Sequence, residues 1–201
     1  PTAASRERTA ASADNGRTRT SLSAASIEAP VAWRQTLPSR PSAPIASDGV
    51  RIFVPLADGH LAALSMVDGG TVWSLQVPGQ LDHPAVVAGD FLYFGQRDGE
   101  LRAVEAASGR TRWSRNLGGW ILGAPIVLEG TVYAIASASL VALDAEDGTV
   151  LWSRELESPA VISPAATDTE IAIGTFRRIF LYDRATGENR YQLDTLNVAG
   201  L

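Results

Sequence analysis

Large aromatic residues return at a nearly constant interval along this chain: Trp33, Trp73, Trp113, Trp152 and Tyr191 stand 40, 40, 39 and 39 residues apart. A glycine precedes each of the last four by four residues, at Gly69, Gly109, Gly148 and Gly187. Each glycine follows a turn-forming polar residue, Asp68, Ser108, Asp147 or Thr186, and each pair reads as a hairpin turn. A proline marks a third recurring point, at Pro44, Pro84, Pro125 and Pro164. Three independent positions keep one register, so the chain is built from a tandem unit of about 40 residues.

Each unit contains four short runs of strand character. In the second they are HPAVVA (83–88), FLYFGQ (91–96), ELRAVEA (100–106) and RTRWSRN (110–116), broken at Gly89-Asp90, Asp98-Gly99 and Ser108-Gly109. Four strands joined by hairpins make an antiparallel meander. The second run of every unit is almost wholly apolar or small, whereas the fourth alternates, as in TVWSLQV and TRWSRNL. The second run therefore belongs between two covering layers and the fourth nearer to solvent. Four strands per 40 residues is the pattern of an all-β propeller, whose blades cover one another's faces around an axis. The expected blades run over about 41–78, 81–118, 121–157 and 159–195. A blade cannot bury both of its faces alone, and a recurring Trp supplies a large apolar anchor with one N–H to satisfy.

Composition removes many chemistries. With no Cys there is no disulfide, thiolate metal site or cysteine nucleophile, and two histidines, His60 and His83, leave little for a histidine-rich metal centre. All 17 basic residues are Arg, so neither a Schiff-base lysine nor a P-loop exists. A formal charge of −5 argues against a nucleic-acid partner. No run of apolar residues is long enough to span a bilayer. Residues 1–29 hold only Leu22 and Ile27 as large apolar residues and read as a disordered linker or tail ahead of a partial propeller over 30–201.

The segments ALSMVDGGTVW (63–73), AVEAASGRTRW (103–113), ALDAEDGTVLW (142–152) and LYDRATGENRY (181–191) resemble the tryptophan-docking motif, Ala-x-Asp-x-x-Thr-Gly-x-x-x-Trp, of PQQ-type (quinoprotein-like) propellers. The fourth copy departs by Leu181 and Tyr191, which points to a looser last boundary. The resemblance covers about residues 31–195 and makes Trp33, Trp73, Trp113, Trp152 and Tyr191 structural docking residues. Relatives of this type carry seven or eight blades, so the chain is expected to stop part-way through a larger ring. Residues 31–37 (VAWRQTL) then read as an orphan outer strand. Open blade edges would allow self-association.

Loops alternate between the two ends of a propeller. The connections from one blade's fourth strand to the next blade's first should share an end with the second-to-third hairpins, and binding sites use such loops. There the sequence puts Gln80, Leu81, Asp82 and His83, then Gly118, Gly119 and Trp120, with Arg97, Asp98, Arg177 and Arg178 from hairpins. Leu81, Asp82, His83, Arg97, Trp120, Arg177 and Arg178 are the candidate partner-binding residues; Trp120 is the one Trp outside the repeat register. No catalytic, cofactor-binding or metal-ligating set is recognisable. The resemblance implies one of three roles. A scaffold similar to the BamB type of outer-membrane assembly would be non-catalytic, extracytoplasmic and periplasmic in setting, bind a protein partner through inter-blade loops and need no cofactor. A PQQ-dependent alcohol dehydrogenase would need PQQ and calcium. A ligand-sensing module is the third. The scaffold is the reading adopted, because packing accounts for every repeating aromatic and no catalytic constellation is left over.

Overall fold

The computed structural model describes residues 31–158, 160 and 163–194. The expected tail over 1–29 and the run LNVAGL (196–201) lie outside the described residues. The chain divides into a unit of Pro1–Ala32 and a unit of Trp33–Leu201, and the architecture below is that of the second.

Four sheets follow one another along the chain, each a four-stranded antiparallel meander with its strands in sequence order. The first blade is β1 (Ala46–Ser47), β2 (Arg51–Pro55), β3 (His60–Ser65) and β4 (Thr71–Gln76). The second is β5 (Val86–Ala88), β6 (Phe91–Gly95), β7 (Glu100–Glu105) and β8 (Thr111–Asn116). The third is β9 (Ile121–Leu128), β10 (Thr131–Ala136), β11 (Ser139–Asp144) and β12 (Val150–Glu155). The fourth is β13 (Ala165–Ala166), β14 (Glu170–Gly174), β15 (Arg178–Asp183) and β16 (Asn189–Asp194). The all-β propeller architecture inferred from the repeat is the one observed.

The burial gradient follows the hydropathy pattern. Second strands are mostly buried and fourth strands mostly exposed, β16 along its whole length. Three apolar cores sit at the three blade boundaries. Phe53, Leu61, Leu92 and Phe94 join the first blade to the second. Tyr93, Leu101, Val132 and Leu143 join the second to the third. Tyr133, Leu140, Ile171 and Phe180 join the third to the fourth.

The aromatic register has a simple mechanical basis. Trp33, Trp73, Trp113 and Trp152 each donate their indole N–H to a backbone carbonyl in the turn between the third and fourth strands of a blade: Met66 O at 3.0 Å, Ala106 O at 2.9 Å, Ala145 O at 2.9 Å and Arg184 O at 3.2 Å. For the last three of these tryptophans that turn belongs to the following blade. The recurring glycine lies under the ring. It holds φ near +70°, and a Cβ built on Gly69, Gly109, Gly148 or Gly187 would come within 2.4 to 2.8 Å of the indole above it. Glycine is thus required twice over, for a left-handed backbone and for a face with no side chain.

The alanine that opens the motif is also explained. Ala63, Ala103 and Ala142 pair directly across the ladder with Trp73, Trp113 and Trp152, where a small residue leaves room for the ring. At each of these pairs the register shifts by one, so the residue before the aromatic, Val72, Arg112, Leu151 or Arg190, drops out of the ladder. A second-strand aromatic backs each ring: Phe53 on Trp73 at 5.8 Å, Tyr93 on Trp113 at 6.0 Å and Tyr133 on Trp152 at 5.9 Å between centroids.

Two expectations need correction. Residues 31–37 do not form a strand. Among the described residues no third strand lies beside them, and an extended segment becomes a strand only by pairing; Trp33 nevertheless occupies its socket as the other tryptophans do. Tyr191 is not docked: it is 62% exposed and finds no turn to receive it among the described residues.

Candidate functional site

The connections between blades and the second-to-third hairpins are stitched together at one end of the sheets by backbone hydrogen bonds. Arg97 N donates to Gln80 O at 3.0 Å, Val77 N to Gly59 O at 2.9 Å and Leu117 N to Gly99 O at 2.9 Å. Ser137 N donates to Trp120 O at 2.8 Å and Leu156 N to Ala138 O at 2.7 Å. The Gln96 side chain, itself buried, accepts from Gly79 N at 2.9 Å. Loops from different blades therefore form one continuous, backbone-fastened surface, and side chains that point away from it are free to meet a partner.

The candidates named from sequence separate into three groups on this surface. Trp120 has its carbonyl fixed to Ser137 and its side chain in solvent, the residue being 67% exposed. Arg177 is exposed as well. Asp82 and Arg97 form an ion pair at 2.7 Å that links the first connection to the second blade's hairpin, and half-buried His83 follows Asp82. Arg178 is committed to the scaffold, bridging Asp194 at 2.9 Å and Glu157 at 3.4 Å. Leu81 is not on the surface: at 1% exposure it is a core residue of the first boundary, packed with Leu92 and Phe94. Its position in a loop suggested access, but the loop turns this side chain inward to close the apolar wedge.

One exposed residue was missed. Phe176, next to the arginine pair, is 89% exposed. The available signal was a large apolar residue at the tip of a hairpin whose counterparts, Ala57-Asp58, Arg97-Asp98 and Ser137-Ala138, carry no aromatic.

A shallow groove of about 350 Å³ opens on the same end between the first blade's hairpin and the connection after its fourth strand, lined by Asp58, Gln76, Pro78 and Gln80. Behind it lies a polar network. Burial acts to raise the Glu100 carboxyl, but hydrogen bonds from Ser114 and Arg102 and one from Gln96 hold it below its ordinary value. Ionised and fully engaged, Glu100 ties strands β7 and β8 together.

A larger groove, about 460 Å³, lies between the third and fourth blades at the opposite end, lined by Glu129, Tyr133, Trp152, Asp168, Asp183 and Arg184. Arg184 replaces the alanines that hold this turn position in the two preceding blades, Ala106 and Ala145. Its guanidinium donates to Glu129 Oε2 at 2.5 Å, Thr167 O at 3.1 Å and the Tyr133 hydroxyl at 3.3 Å. Glu129 reaches it from a left-handed backbone with φ of 47°. This polar cluster fastens the third blade to the fourth beside their apolar core. Among the described residues no three His, Asp or Glu side chains converge as metal ligands.

A family model described as outer membrane protein assembly factor BamB matches residues 1–82 and 57–197. No curated protein matches the chain. Among solved structures, BamB from Moraxella catarrhalis is similar at 20% identity and TM-score 0.71, over 81% of this chain and 52% of that one. Quinohemoprotein alcohol dehydrogenase ADHIIG from Pseudomonas putida HK5 is similar at 18% identity and TM-score 0.68, over 83% of this chain and 36% of that one. Quinohemoprotein alcohol dehydrogenase from Comamonas testosteroni follows at 17% identity and TM-score 0.66, over 78% and 35%. The chain spans about half the length of the BamB structure and about a third of the dehydrogenases. At these identities the structural likenesses speak to the fold.

Proposed function

Because this chain belongs to the family of the outer membrane protein assembly factor BamB, we propose that it is a non-catalytic scaffold that binds a protein partner through its inter-blade loops, in a periplasmic setting and in the service of outer-membrane protein assembly. Trp120 carries this reading. It is the one Trp that the repeat does not use, it is 67% exposed, and its backbone is fixed by Ser137. A rigidly mounted exposed Trp is the kind of side chain that dominates binding energy when a partner desolvates it. The surrounding surface supports the same role, since hydrogen bonds between loops prepay the ordering that binding would otherwise cost.

The test is association of the protein with the barrel-assembly complex of its own cells, measured by co-purification and then by titration with the purified partner. Trp120→Ala should weaken binding at least tenfold and leave the melting temperature unchanged, because the ring makes no core contact. Equal binding by the variant would overturn the assignment of this surface. Incubation with PQQ and calcium should give neither a quinone absorbance change nor dye-linked alcohol oxidation. Turnover in that assay would replace the scaffold with a dehydrogenase.

A further inference from the structure

We propose that the Phe176-Arg177 tip is a preformed knob that inserts into an apolar pocket rimmed by carboxylates on a partner protein. The proposal rests on the scaffold reading and adds the second anchor and the partner's chemistry. Phe176 and Arg177 are the two residues between the last ladder partners of β14 and β15 and the Thr175-Arg178 closure. Thr175 N donates to Arg178 O at 2.8 Å, and the Thr175 hydroxyl both donates to Arg178 O at 3.0 Å and accepts from Arg178 N at 3.2 Å. Thr175 itself is buried, and an isolated bridge to Ala160 pins it from the far side. Arg178 is held by Asp194 and Glu157. The base of the turn is thus clamped from three directions while its two central side chains have no such engagement.

Phe176 is 89% exposed, more than any other large apolar side chain among the described residues. Arg177, its neighbour, is exposed and forms no ion pair among the described residues, although the other arginines of the fourth blade, Arg178, Arg184 and Arg190, are all paired. An aromatic ring beside a free guanidinium on a rigid mount has the composition of an interface anchor. The ring calls for an apolar pocket, and the unspent positive charge calls for a carboxylate at the pocket's edge. A lipid surface fits less well. A single ring inserts weakly, and the neighbouring Glu157 and Asp194, with the net charge of −5, oppose an anionic bilayer.

The experiment places the photoreactive residue benzoylphenylalanine at 176, at 120 and, as a control, at exposed position 90 in the first-to-second hairpin at the opposite end, in the protein produced in its own cells. Irradiation should give one discrete protein adduct from 176 and none from 90, with the adduct mapping to an apolar pocket that carries Asp or Glu at its rim. With that partner purified, Phe176→Ser should weaken binding at least tenfold at unchanged melting temperature. Arg177→Gln should weaken it severalfold and flatten the dependence of Kd on salt. Adducts from 120 but none from 176 would overturn the knob and leave the scaffold standing; no protein adduct from either position would overturn both. Adducts to lipid, or binding of wild type but not Phe176→Ser to vesicles of phosphatidylcholine and phosphatidylglycerol, would assign the tip to a membrane and overturn the proposal. A mapped pocket without carboxylates, or unchanged binding by Phe176→Ser, would do so too.

Discussion

The second and fourth blades carry the same motif in the same register, yet its aromatic has opposite fates. Trp113 is 7% exposed, backed by Tyr93 at 6.0 Å, seated over Gly148 and bonded to Ala145 O at 2.9 Å. Tyr191 is 62% exposed. Its cross-strand partner is Leu181 where the other blades have alanine, and the second-strand position that holds Phe53, Tyr93 and Tyr133 is Ala172. A docking residue is therefore half of a device: its energy resides in the turn that receives it and the ring behind it. The fourth blade receives Trp152 on its own turn but docks nothing in return among the described residues.

The sharpest way to break this comparison is to remove the docked ring. Trp113→Ala should cost about 3–5 kcal/mol of unfolding free energy, the range for a buried aromatic truncation that leaves a cavity; Ala145 O would keep the hydrogen bond that it accepts from the Tyr93 hydroxyl at 3.1 Å. Urea denaturation of the purified chain measures it, and a loss below about 1 kcal/mol would mean that the ring is not an anchor.

The receiving half can be tested next. In Gly148→Ala the new Cβ would lie 2.6 Å from Trp113 Cδ2, on a backbone with φ of 71°. Gly89 also has positive φ, 57°, but nothing lies within 4 Å of its built Cβ. Gly89→Ala should cost only the left-handed backbone term, about 1 kcal/mol, whereas Gly148→Ala adds overpacking for a total of about 3 kcal/mol. The difference between the two isolates the contact between ring and glycine. Equal losses would show that the recurring glycine serves the turn alone.

These two halves were unequally legible in the sequence. Spacing of Trp, Gly and Pro gave the four meanders, because those residues act locally and repeat. The roles of Ala63, Ala103 and Ala142 beneath the rings depend on cross-strand pairing and were visible only as part of a family motif. The 31–37 segment looked like a strand because it carries strand residues, but pairing is a property of two segments. Leu81 sits in a loop, where side chains are usually accessible, yet it is apolar enough to turn into a core. Phe176 stands beside two charges that mask its apolar character in the sequence, and Arg184 carries no local sign that Glu129, 55 residues earlier, meets it.

The fourth blade's receiving turn offers a smaller, pH-dependent effect. The backbone N–H of Thr186 holds the Asp183 carboxyl below its ordinary value of 3.8, helped by the Thr186 hydroxyl, Arg190 and the Ala185 N–H, against a burial effect that raises it. A carboxyl with a depressed folded-state pKa contributes stability that is present above its unfolded value and is lost as pH falls through the folded one. The melting-temperature gap between wild type and Asp183→Asn should accordingly be widest above pH 4 and close below about 3.8. A gap that persists unchanged into that acid range would show that shape, not charge, secures the turn.

The smallest expected effect comes from the undocked end. Tyr191→Ala should change stability by less than about 0.5 kcal/mol, as exposed substitutions generally do, since the ring is 62% in solvent and has no receiving turn among the described residues. Tyr191→Trp restores the motif's own residue and should be equally silent, because among the described residues no turn receives an indole there. Denaturation of the two variants beside Trp113→Ala measures the device with both halves, with one half missing and with the better half supplied alone. If Tyr191→Trp were to stabilise the chain by as much as Trp113→Ala destabilises it, docking energy would belong to the ring itself, and the inequality between the second and fourth blades would need another cause.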